Sequence, residues 1–218
     1  MDSSANVLGE FERAFRRRLF DSVSAIHLSG GSALAVHLGH RRSLDLDLFA
    51  TDEVAFAAAR ASLPVIASSV NATMEILADA PAFRRVLLKG PGGQTLRVDL
   101  VYDTAERVGP PPIESGGLRL DPLRELLINK ACAILGRSEL RDLVDLFFLD
   151  RAGFRVVDAL TDARRKDAGL TPAQLAWAIG QVPLDRLPDG LIVPVSIEEL
   201  RTFRAQLVEA LERLSCPA

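Results

Sequence analysis

The sequence predicts a mixed α/β (α+β) fold over residues 1–112, followed by a mostly helical domain over residues 113–218. Ser43–Phe49 alternates apolar and polar residues, which is typical of a strand buried on one face. Two further strand-like runs flank the glycine-rich turn at residues 90–93 and predict a hairpin. After the breaker at residues 109–112, apolar residues recur at helical spacing.

Hydrophobic spacing and turn residues place the elements of the first half. Thr51 is the predicted N-cap of an alanine-rich helix, and Pro64 is expected to end that helix after Leu63. The other predicted elements, in chain order, are a helix over 7–20, a strand over 23–28, a helix over 33–38, a strand over 43–49 and hairpin strands over 84–89 and 95–102.

The second half contains four predicted helices, over residues 122–134, 139–150, 172–179 and 196–214. We expect this domain to contribute lysine, arginine and aspartate side chains to the functional site. Its last part, residues 172–218, has three open interpretations: it caps the site, forms a partner surface or completes the core.

Composition excludes several classes of protein. A net charge of −3 argues against a protein that coats nucleic acid through bulk electrostatics. Cys132 and Cys216 are the only cysteines, which excludes a disulfide scaffold and a cysteine-based zinc site. No segment has the length and apolar character of a membrane span or a signal peptide. We therefore expect a cytoplasmic protein with no membrane partner.

Gly30, Gly31 and Ser32 lie between a predicted strand and a predicted helix. Such a turn lets backbone N–H groups approach an anion, and the start of the helix adds positive potential. The alternative is a tight turn without a ligand. The turn matches neither a P-loop nor a Rossmann fingerprint.

Asp45 and Asp47 project from the same face of one predicted strand. Their separation is roughly 6–7 Å, given a rise of ~3.3 Å per residue. Two such carboxylates suit one divalent cation or a pair, because these cations prefer oxygen ligands. The alternative is the solvated polar face of an edge strand.

Asp99 alternates with Val98 and Leu100 and is predicted to lie on the polar face of another strand. If that strand neighbours the one with Asp45 and Asp47, three carboxylates converge. Three converging carboxylates are used in two-metal nucleotidyl transfer. The alternative is that Asp99 pairs with Arg97 or caps a helix.

Lys130 lies within an apolar helical run, where a buried charge is costly without a partner. On one continuous helix, Arg137, Arg141 and Asp145 would lie within about 80° of Lys130. Ser138 is the predicted N-cap if the helix is interrupted. The functional interpretation is a cationic strip for a triphosphate, with Asp145 orienting Lys130. The alternative is an ion-pair network between two helices.

The sequence resembles the AbiEii/AbiGii-type toxin nucleotidyltransferases. The resemblance rests on two signatures that cover roughly residues 25–150. The first signature is Leu28-Ser29-Gly30-Gly31-Ser32-Ala33-Leu34 with His40-Arg41-Arg42-Ser43-Leu44-Asp45-Leu46-Asp47-Leu48-Phe49, and the second is Lys130-x6-Arg137-x3-Arg141-Asp142-x2-Asp145.

The resemblance implies a DNA polymerase beta-like fold, Mg²⁺ (with Mn²⁺ as the alternative) and a nucleoside triphosphate. Asp45 and Asp47 would be metal ligands, and Lys130 with its associated acid Asp145 would neutralise phosphate charge. Asp99 is the expected third metal ligand and candidate acceptor of the attacking hydroxyl's proton, from the strand pattern and the general polymerase beta arrangement. The expected nucleotide-binding residues are Gly30, Gly31, Ser32, Ser43, Arg41, Arg137 and Arg141.

The predicted function is therefore the transfer of a nucleoside monophosphate to a hydroxyl acceptor, with RNA, and tRNA in particular, as the acceptor. The resemblance also implies a bacterial toxin–antitoxin or phage-defence pair and a cognate antitoxin. Two alternatives stay open. One is a partner-binding protein with a vestigial nucleotide site, and the other is nucleotide transfer to a small molecule or a protein.

Overall fold

The computed structural model describes residues 9–43, 45–105 and 107–215. The chain divides into two compact units. The first comprises the described residues up to Thr104 together with Pro112–Asp121. The second comprises Ala105–Pro111 and the described residues from Pro122 onward.

The first unit is built on a seven-stranded mixed sheet of order β3-β4-β5-β2-β1-β7-β6. β2 pairs with β5 in parallel, and β1 pairs with β7 in parallel. The remaining neighbours are antiparallel. The strands are β1 Ile26–Leu28, β2 Asp45–Ala50, β3 Thr73–Ala80, β4 Phe83–Lys89, β5 Thr95–Tyr102, β6 Ile113–Ser115 and β7 Leu118–Leu120. The predicted mixed sheet and the hairpin of β4 and β5 are confirmed.

Three helices complete the first unit: α1 Glu10–Ser22, α2 Gly30–Leu38 and α3 Glu53–Ser69. The apolar spacing that predicted α1 is confirmed, because Phe11, Phe15 and Leu19 are all buried. α2 begins at Gly30, so the two glycines form its first turn rather than a loop before it.

The prediction for α3 was wrong at both ends. The N-cap is Asp52 rather than Thr51, and its carboxylate accepts a hydrogen bond from the Ala55 N–H at 2.7 Å. Pro64 lies inside the helix, which continues to Ser69. Ile66 is buried in the turn beyond the proline, and this burial favours continuing the helix despite the lost backbone bond.

The sheet contains two features that the sequence did not indicate. β3 forms an edge of the sheet where no strand was predicted. β6 and β7 form a hairpin beyond residue 112, and β7 pairs with β1. The first unit therefore extends to Asp121, past the predicted boundary at residue 112.

The second unit is helical, as predicted. It comprises α4 Leu123–Arg137, α5 Leu140–Arg151, α6 Leu160–Lys166, α7 Pro172–Gly180 and α8 Ile197–Ser215, with a 3₁₀ turn at Val156–Ala159. Of these, α6 was not predicted. Ser138 ends α4 with a φ of 45° and Glu139 is the N-cap of α5, so the expectation that Ser138 is an N-cap was wrong. Within the described ranges, no helix is both long and apolar enough to cross a membrane.

Candidate active site

β2 presents two carboxylates on one face of the sheet. Leu46 and Leu48 are fully buried on the opposite face, whereas Asp45 and Asp47 are partly exposed. The alternation that predicted this strand is therefore confirmed. Because β2 lies between β1 and β5, it is not an edge strand, and the edge-strand interpretation of the two acids does not apply.

The first turn of α2 is hydrogen-bonded to Asp47. The Ser32 N–H donates to Oδ2 of Asp47 at 3.2 Å, and the Asp47 N–H donates to Oγ of Ser32 at 3.0 Å. The Ser32 hydroxyl also donates to the Ser29 carbonyl at 3.1 Å. The Ser29 N–H donates to the Asp47 carbonyl at 3.0 Å. These bonds fix the Asp47 carboxylate against the positive end of α2.

Both glycines of this turn make room for a functional side chain. Gly30 has a φ of +56°, and a Cβ there would lie 2.7 Å from Oδ2 of Asp47. A Cβ on Gly31 would lie 2.6 Å from Nη2 of Arg41. Arg41 is buried beside the turn, and its Nη1 donates to the Arg42 carbonyl at 3.2 Å. Arg41 therefore lies next to Gly31, within the predicted nucleotide-binding segment.

Two further serines adjoin this turn and β2. Ser43 Oγ donates to the Asp45 carbonyl at 2.8 Å, so this predicted nucleotide-binding residue holds the start of β2. Ser29 is buried, and its Oγ has no hydrogen-bond partner among the residues that the structure describes. Sequence reasoning did not single out Ser29. A buried hydroxyl without a partner at the start of a helix is suited to an anionic ligand.

Asp99 lies directly beside Asp47. The parallel register of β2 and β5 pairs these two residues, so the three acids share one face as predicted. Asp99 is mostly buried, and the Arg85 guanidinium binds both of its oxygens. Nε of Arg85 lies 2.7 Å from Oδ1 and Nη2 lies 2.6 Å from Oδ2. Asp99 is therefore paired with an arginine, but the expected partner Arg97 was wrong: the β4–β5 register places Arg85 opposite Asp99.

A second arginine contacts the remaining acid. Arg97 is paired with Asp45 in the β2–β5 register, and its Nη2 donates to Oδ2 of Asp45. Hydrogen bonding to Asp99 and the charges of Asp99, Asp45 and Asp47 raise the pKa of Arg85, despite the opposing effect of burial. These contacts form one charge cluster, which we call the β2–β5 cluster and which consists of Asp45, Asp47, Asp99, Arg85 and Arg97.

The β2–β5 cluster supplies carboxylate oxygens, the donors that Mg²⁺ prefers. Among the described residues, no group of three or more histidine, cysteine or acidic side chains is already arranged around a metal position. Asp45 and Asp47 fit a divalent cation by their chemistry and their common face, and Asp99 as a third ligand stays a prediction.

In the second unit, Lys130 joins α4 to α5. Its Nζ lies 2.7 Å from Asp142 Oδ1 and 2.7 Å from Asp145 Oδ2, and all three side chains are almost fully buried. The predicted association of Lys130 with Asp145 is confirmed. Asp142 was missed as a partner, because a break between two helices is needed to bring it to the lysine. Arg137 donates to both oxygens of Asp142, at 2.7 and 2.9 Å.

Neighbouring groups of opposite charge determine the direction of the pKa shifts of Lys130 and Asp142. Burial alone would lower the pKa of Lys130, but the carboxylates of Asp145 and Asp142 outweigh it, and the pKa is raised. Burial would raise the pKa of Asp142, but hydrogen bonding to Arg137 and the charge of Lys130 hold it below its usual value. The lysine and Asp142 therefore remain charged in the folded protein.

Arg141 lies apart from these contacts. It lines a groove of about 370 Å³ whose other lining residues come from residues 139–140, 183 and 185–189. Side chains of both signs line this groove, including Arg186 and Asp185. The predicted strip of Lys130, Arg137 and Arg141 on one helix face is not formed, because α4 ends at Arg137.

Comparisons with known proteins agree with this fold. The family model described as "Nucleotidyl transferase AbiEii toxin, Type IV TA system" matches residues 15–216. No curated protein gives a significant match.

Two solved structures are similar over most of their length. JHP933 from Helicobacter pylori is 21% identical with a TM-score of 0.59, covering 99% of this chain and 96% of that one. MenT4, a nucleotidyltransferase toxin from Mycobacterium tuberculosis, is 15% identical with a TM-score of 0.58, covering 92% of this chain and 81% of that one. At these identities the likeness shows a shared fold.

Proposed function

The chain belongs to the AbiEii family of nucleotidyltransferase toxins, and from this premise we propose that it transfers a nucleoside monophosphate from a nucleoside triphosphate to a hydroxyl of an RNA acceptor. Family membership establishes the nucleotidyltransferase and toxin classes and implies a triphosphate substrate and an antitoxin partner. The divalent cation, the RNA acceptor and the roles of individual residues are the proposed parts.

The observation that carries the proposal is the position of Asp47. Its carboxylate lies at the first turn of α2, where it accepts a hydrogen bond from Ser32, and Asp45 lies two residues away on the same face. The start of a helix is suited to phosphate and a pair of carboxylates is suited to a divalent cation. The two features are adjacent here.

We assign Asp45 and Asp47 as the residues that would hold the cation. When bound, Mg²⁺ neutralises triphosphate charge and lowers the pKa of a coordinated hydroxyl. The chain's own residues orient the reactants. Gly30 and Gly31 keep the first turn of α2 clear of side chains. The Oγ of Ser29, which has no hydrogen-bond partner within the described part of the chain, is a candidate donor to a phosphate oxygen.

Asp99 has a narrower role in this proposal than in the sequence prediction. A general base must accept a proton, and a carboxylate that is already bound at both oxygens by Arg85 is a poor acceptor. We therefore propose that Asp99 holds the Arg85 guanidinium on the sheet face beside Asp47, so that this pair sets the local charge. Its role in binding metal or accepting a proton requires release from Arg85.

The roles of Lys130, Asp145, Arg137 and Arg141 in nucleotide binding stay predictions. The contacts within the second unit support the ion-pair network, since Lys130 contacts two buried carboxylates and Arg137 binds both oxygens of Asp142. We propose that this network fixes α4 on α5. RNA as the acceptor rests on the family resemblance, which includes members that add nucleotides to tRNA.

The test uses purified protein, Mg²⁺ and each of the four α-labelled nucleoside triphosphates, with a nuclease-free bacterial extract as acceptor. Asp45→Asn and Asp47→Asn are the inactive variants. Asp79→Asn is the matched control, because Asp79 is a partly exposed acid on β3 that pairs with Arg60 and Arg84. We expect an RNA band with wild type and Asp79→Asn that is absent with the other two.

The outcomes separate the alternatives. Label in protein or in small molecules retains the chemistry and contradicts the RNA acceptor. Full transfer by folded Asp45→Asn or Asp47→Asn contradicts the site. No transfer with any nucleotide, combined with no binding of Mg–triphosphate, favours a partner-binding protein with a vestigial site.

A further inference from the structure

The two arginines of the β2–β5 cluster are bound differently. Arg85 uses two donor groups on Asp99, at 2.7 and 2.6 Å. Arg97 is bonded to Asp45 through Nη2, and its buried Nε has no hydrogen-bond partner among the described residues. A buried N–H without an acceptor is unfavourable. Arg97 is therefore the arginine whose hydrogen-bonding capacity is incompletely used.

Exposure differs between the two acids more than between the two arginines. The side chains of Arg85 and Arg97 are 38% and 41% exposed, whereas those of Asp99 and Asp45 are 13% and 21% exposed. Bidentate arginine–carboxylate pairs are strong and geometrically specific, whereas partly exposed pairs with fewer bonds contribute little to stability. Because it has fewer hydrogen bonds and a more exposed acid, we expect the Arg97–Asp45 pair to open at lower cost than the bidentate Arg85–Asp99 pair.

Arg97 and a divalent cation would compete for the same carboxylate. Asp45 is one of the two residues assigned to hold the cation, and Arg97 occupies its Oδ2 in this state. A guanidinium and a divalent cation repel each other at short range. Cation binding to Asp45 and Asp47 would therefore displace Arg97 from its present partner.

We propose that Arg97 is an exchangeable phosphate ligand: it neutralises Asp45 when no cation is present and moves to the triphosphate of the nucleotide when a cation occupies Asp45 and Asp47. This inference rests on the proposed function of the site. The guanidinium matches phosphate oxygens as well as carboxylates, and a phosphate oxygen would give the Nε–H an acceptor. Arg97 is thus a positioning residue for the nucleotide's phosphates.

The test measures cation and phosphate binding directly, apart from catalysis. Mn²⁺ affinity is determined by electron paramagnetic resonance without nucleotide, for wild type and for Arg97→Gln, Arg97→Lys and Asp45→Asn. Arg60→Gln is the matched control, because Arg60 forms an ion pair of similar exposure with Asp79 in the same unit. Circular dichroism and thermal melting verify that each variant is folded.

The proposal predicts that Arg97→Gln has opposite effects on the binding of Mn²⁺ and of inorganic triphosphate. Arg97→Gln should bind Mn²⁺ about three- to tenfold more tightly than wild type, since a competing positive charge is removed. With Mn²⁺ saturating, the same variant should bind inorganic triphosphate about tenfold more weakly, since a charge-assisted contact is lost. Arg97→Lys should stay near wild type in Mn²⁺ affinity, and Arg60→Gln should match wild type in both.

Three results would overturn the inference, and they differ in what else they affect. If Asp45→Asn loses Mn²⁺ affinity but Arg97→Gln does not gain it, Arg97 does not compete and the proposed function stands. If Arg97→Gln gains Mn²⁺ affinity but binds triphosphate normally, the movement to phosphate is excluded. If Asp45→Asn binds Mn²⁺ like wild type, the cation site itself fails, and the proposed function fails with it.

Discussion

Ser32 and Asp47 exchange hydrogen bonds across fifteen residues of sequence: each backbone N–H donates to the side chain of the other residue. This reciprocal pair fastens the start of α2 to the middle of β2. The Ser32 hydroxyl therefore positions Asp47, in addition to any contact with a ligand.

Ser32→Ala removes the acceptor of the Asp47 N–H and leaves this partly buried donor without that bond. We expect a loss of about 1–3 kcal/mol in the free energy of unfolding. Nucleotidyl transfer should fall by at least tenfold, because the Asp47 carboxylate is no longer fixed. Urea unfolding and transfer assays measure the two effects. Ser62→Ala is the control, because the Ser62 hydroxyl bonds an exposed helix carbonyl; equal losses in both variants would contradict the positioning role.

Gly30→Ala and Gly31→Ala should differ although the residues are adjacent. At Gly30, a φ of +56° and a Cβ 2.7 Å from Asp47 Oδ2 both oppose a side chain. An alanine at this positive φ costs roughly 1–2 kcal/mol, and the Asp47 carboxylate must move to make room for the added Cβ. At Gly31 the close atom is the end of the flexible Arg41 side chain. We expect Gly30→Ala to abolish transfer and lower the melting temperature, and Gly31→Ala to retain the fold with weaker nucleotide binding.

Lys130→Met leaves Asp145 buried without its ammonium partner, and breaking a buried pair from one side costs about 3–5 kcal/mol. Urea unfolding should show this loss. The double variant Lys130→Met/Asp145→Asn should recover part of it, because the unpaired charge is removed. Lys89→Met, at an exposed pair with Glu75, should change stability by about 1 kcal/mol or less. No recovery in the double variant would contradict the ion-pair assignment.

Glu12 on α1 predicts a dependence of stability on pH. Burial raises its pKa from 4.5 to about 7, despite the opposing charges of Arg16 and Arg13. The folded protein therefore holds a proton that the unfolded chain has released between these pH values. The free energy of unfolding should fall as pH rises from about 4.5 to about 7 because of this group.

Glu12→Gln should remove that contribution and flatten the profile of melting temperature over pH 5–8, a range about one unit beyond the shifted pKa. Glu10→Gln is the control, because Glu10 is exposed on the same helix. A profile for Glu12→Gln that matches wild type would show that another group causes the pH dependence.

The alternation of apolar and polar residues predicted the two strands on which Asp45, Asp47 and Asp99 lie. The alternation around Asp45 and Asp47 determines which face of β2 they occupy, and the same argument placed Asp99 on β5. The convergence of the three acids depended on the two strands being neighbours, and the pairing of β2 with β5 meets that condition by placing Asp99 beside Asp47. These predictions succeeded because the side-chain period of a strand depends only on neighbouring residues.

Which arginine pairs with each of those acids depends on the register between neighbouring strands, and local sequence patterns do not determine this register. Arg85 reaches Asp99 because the β4–β5 hairpin pairs those two positions, and a shift of one residue would place Arg85 on the other face. Arg97 was the expected alternative partner of Asp99, two residues away on the same strand, but the β2–β5 register pairs it with Asp45 instead. Asp142 required knowledge that α4 ends at Arg137 and that α5 turns back to Lys130.

The parallel pairing of β2 with β5 has a consequence for biosynthesis. Asp45 and Arg97 are separated by 52 residues, with α3, β3 and β4 between them. Closing such a loop has an entropic cost that local contacts do not have, so we expect these contacts to form after the local ones. A nascent chain on the ribosome that has not yet extruded β5 has Asp45 and Asp47 but lacks the strand beside them. β1 gains β7 as its second neighbour only after residue 120 emerges. The sheet that presents this toxin's acids is therefore assembled only after more than half of the chain has been synthesised.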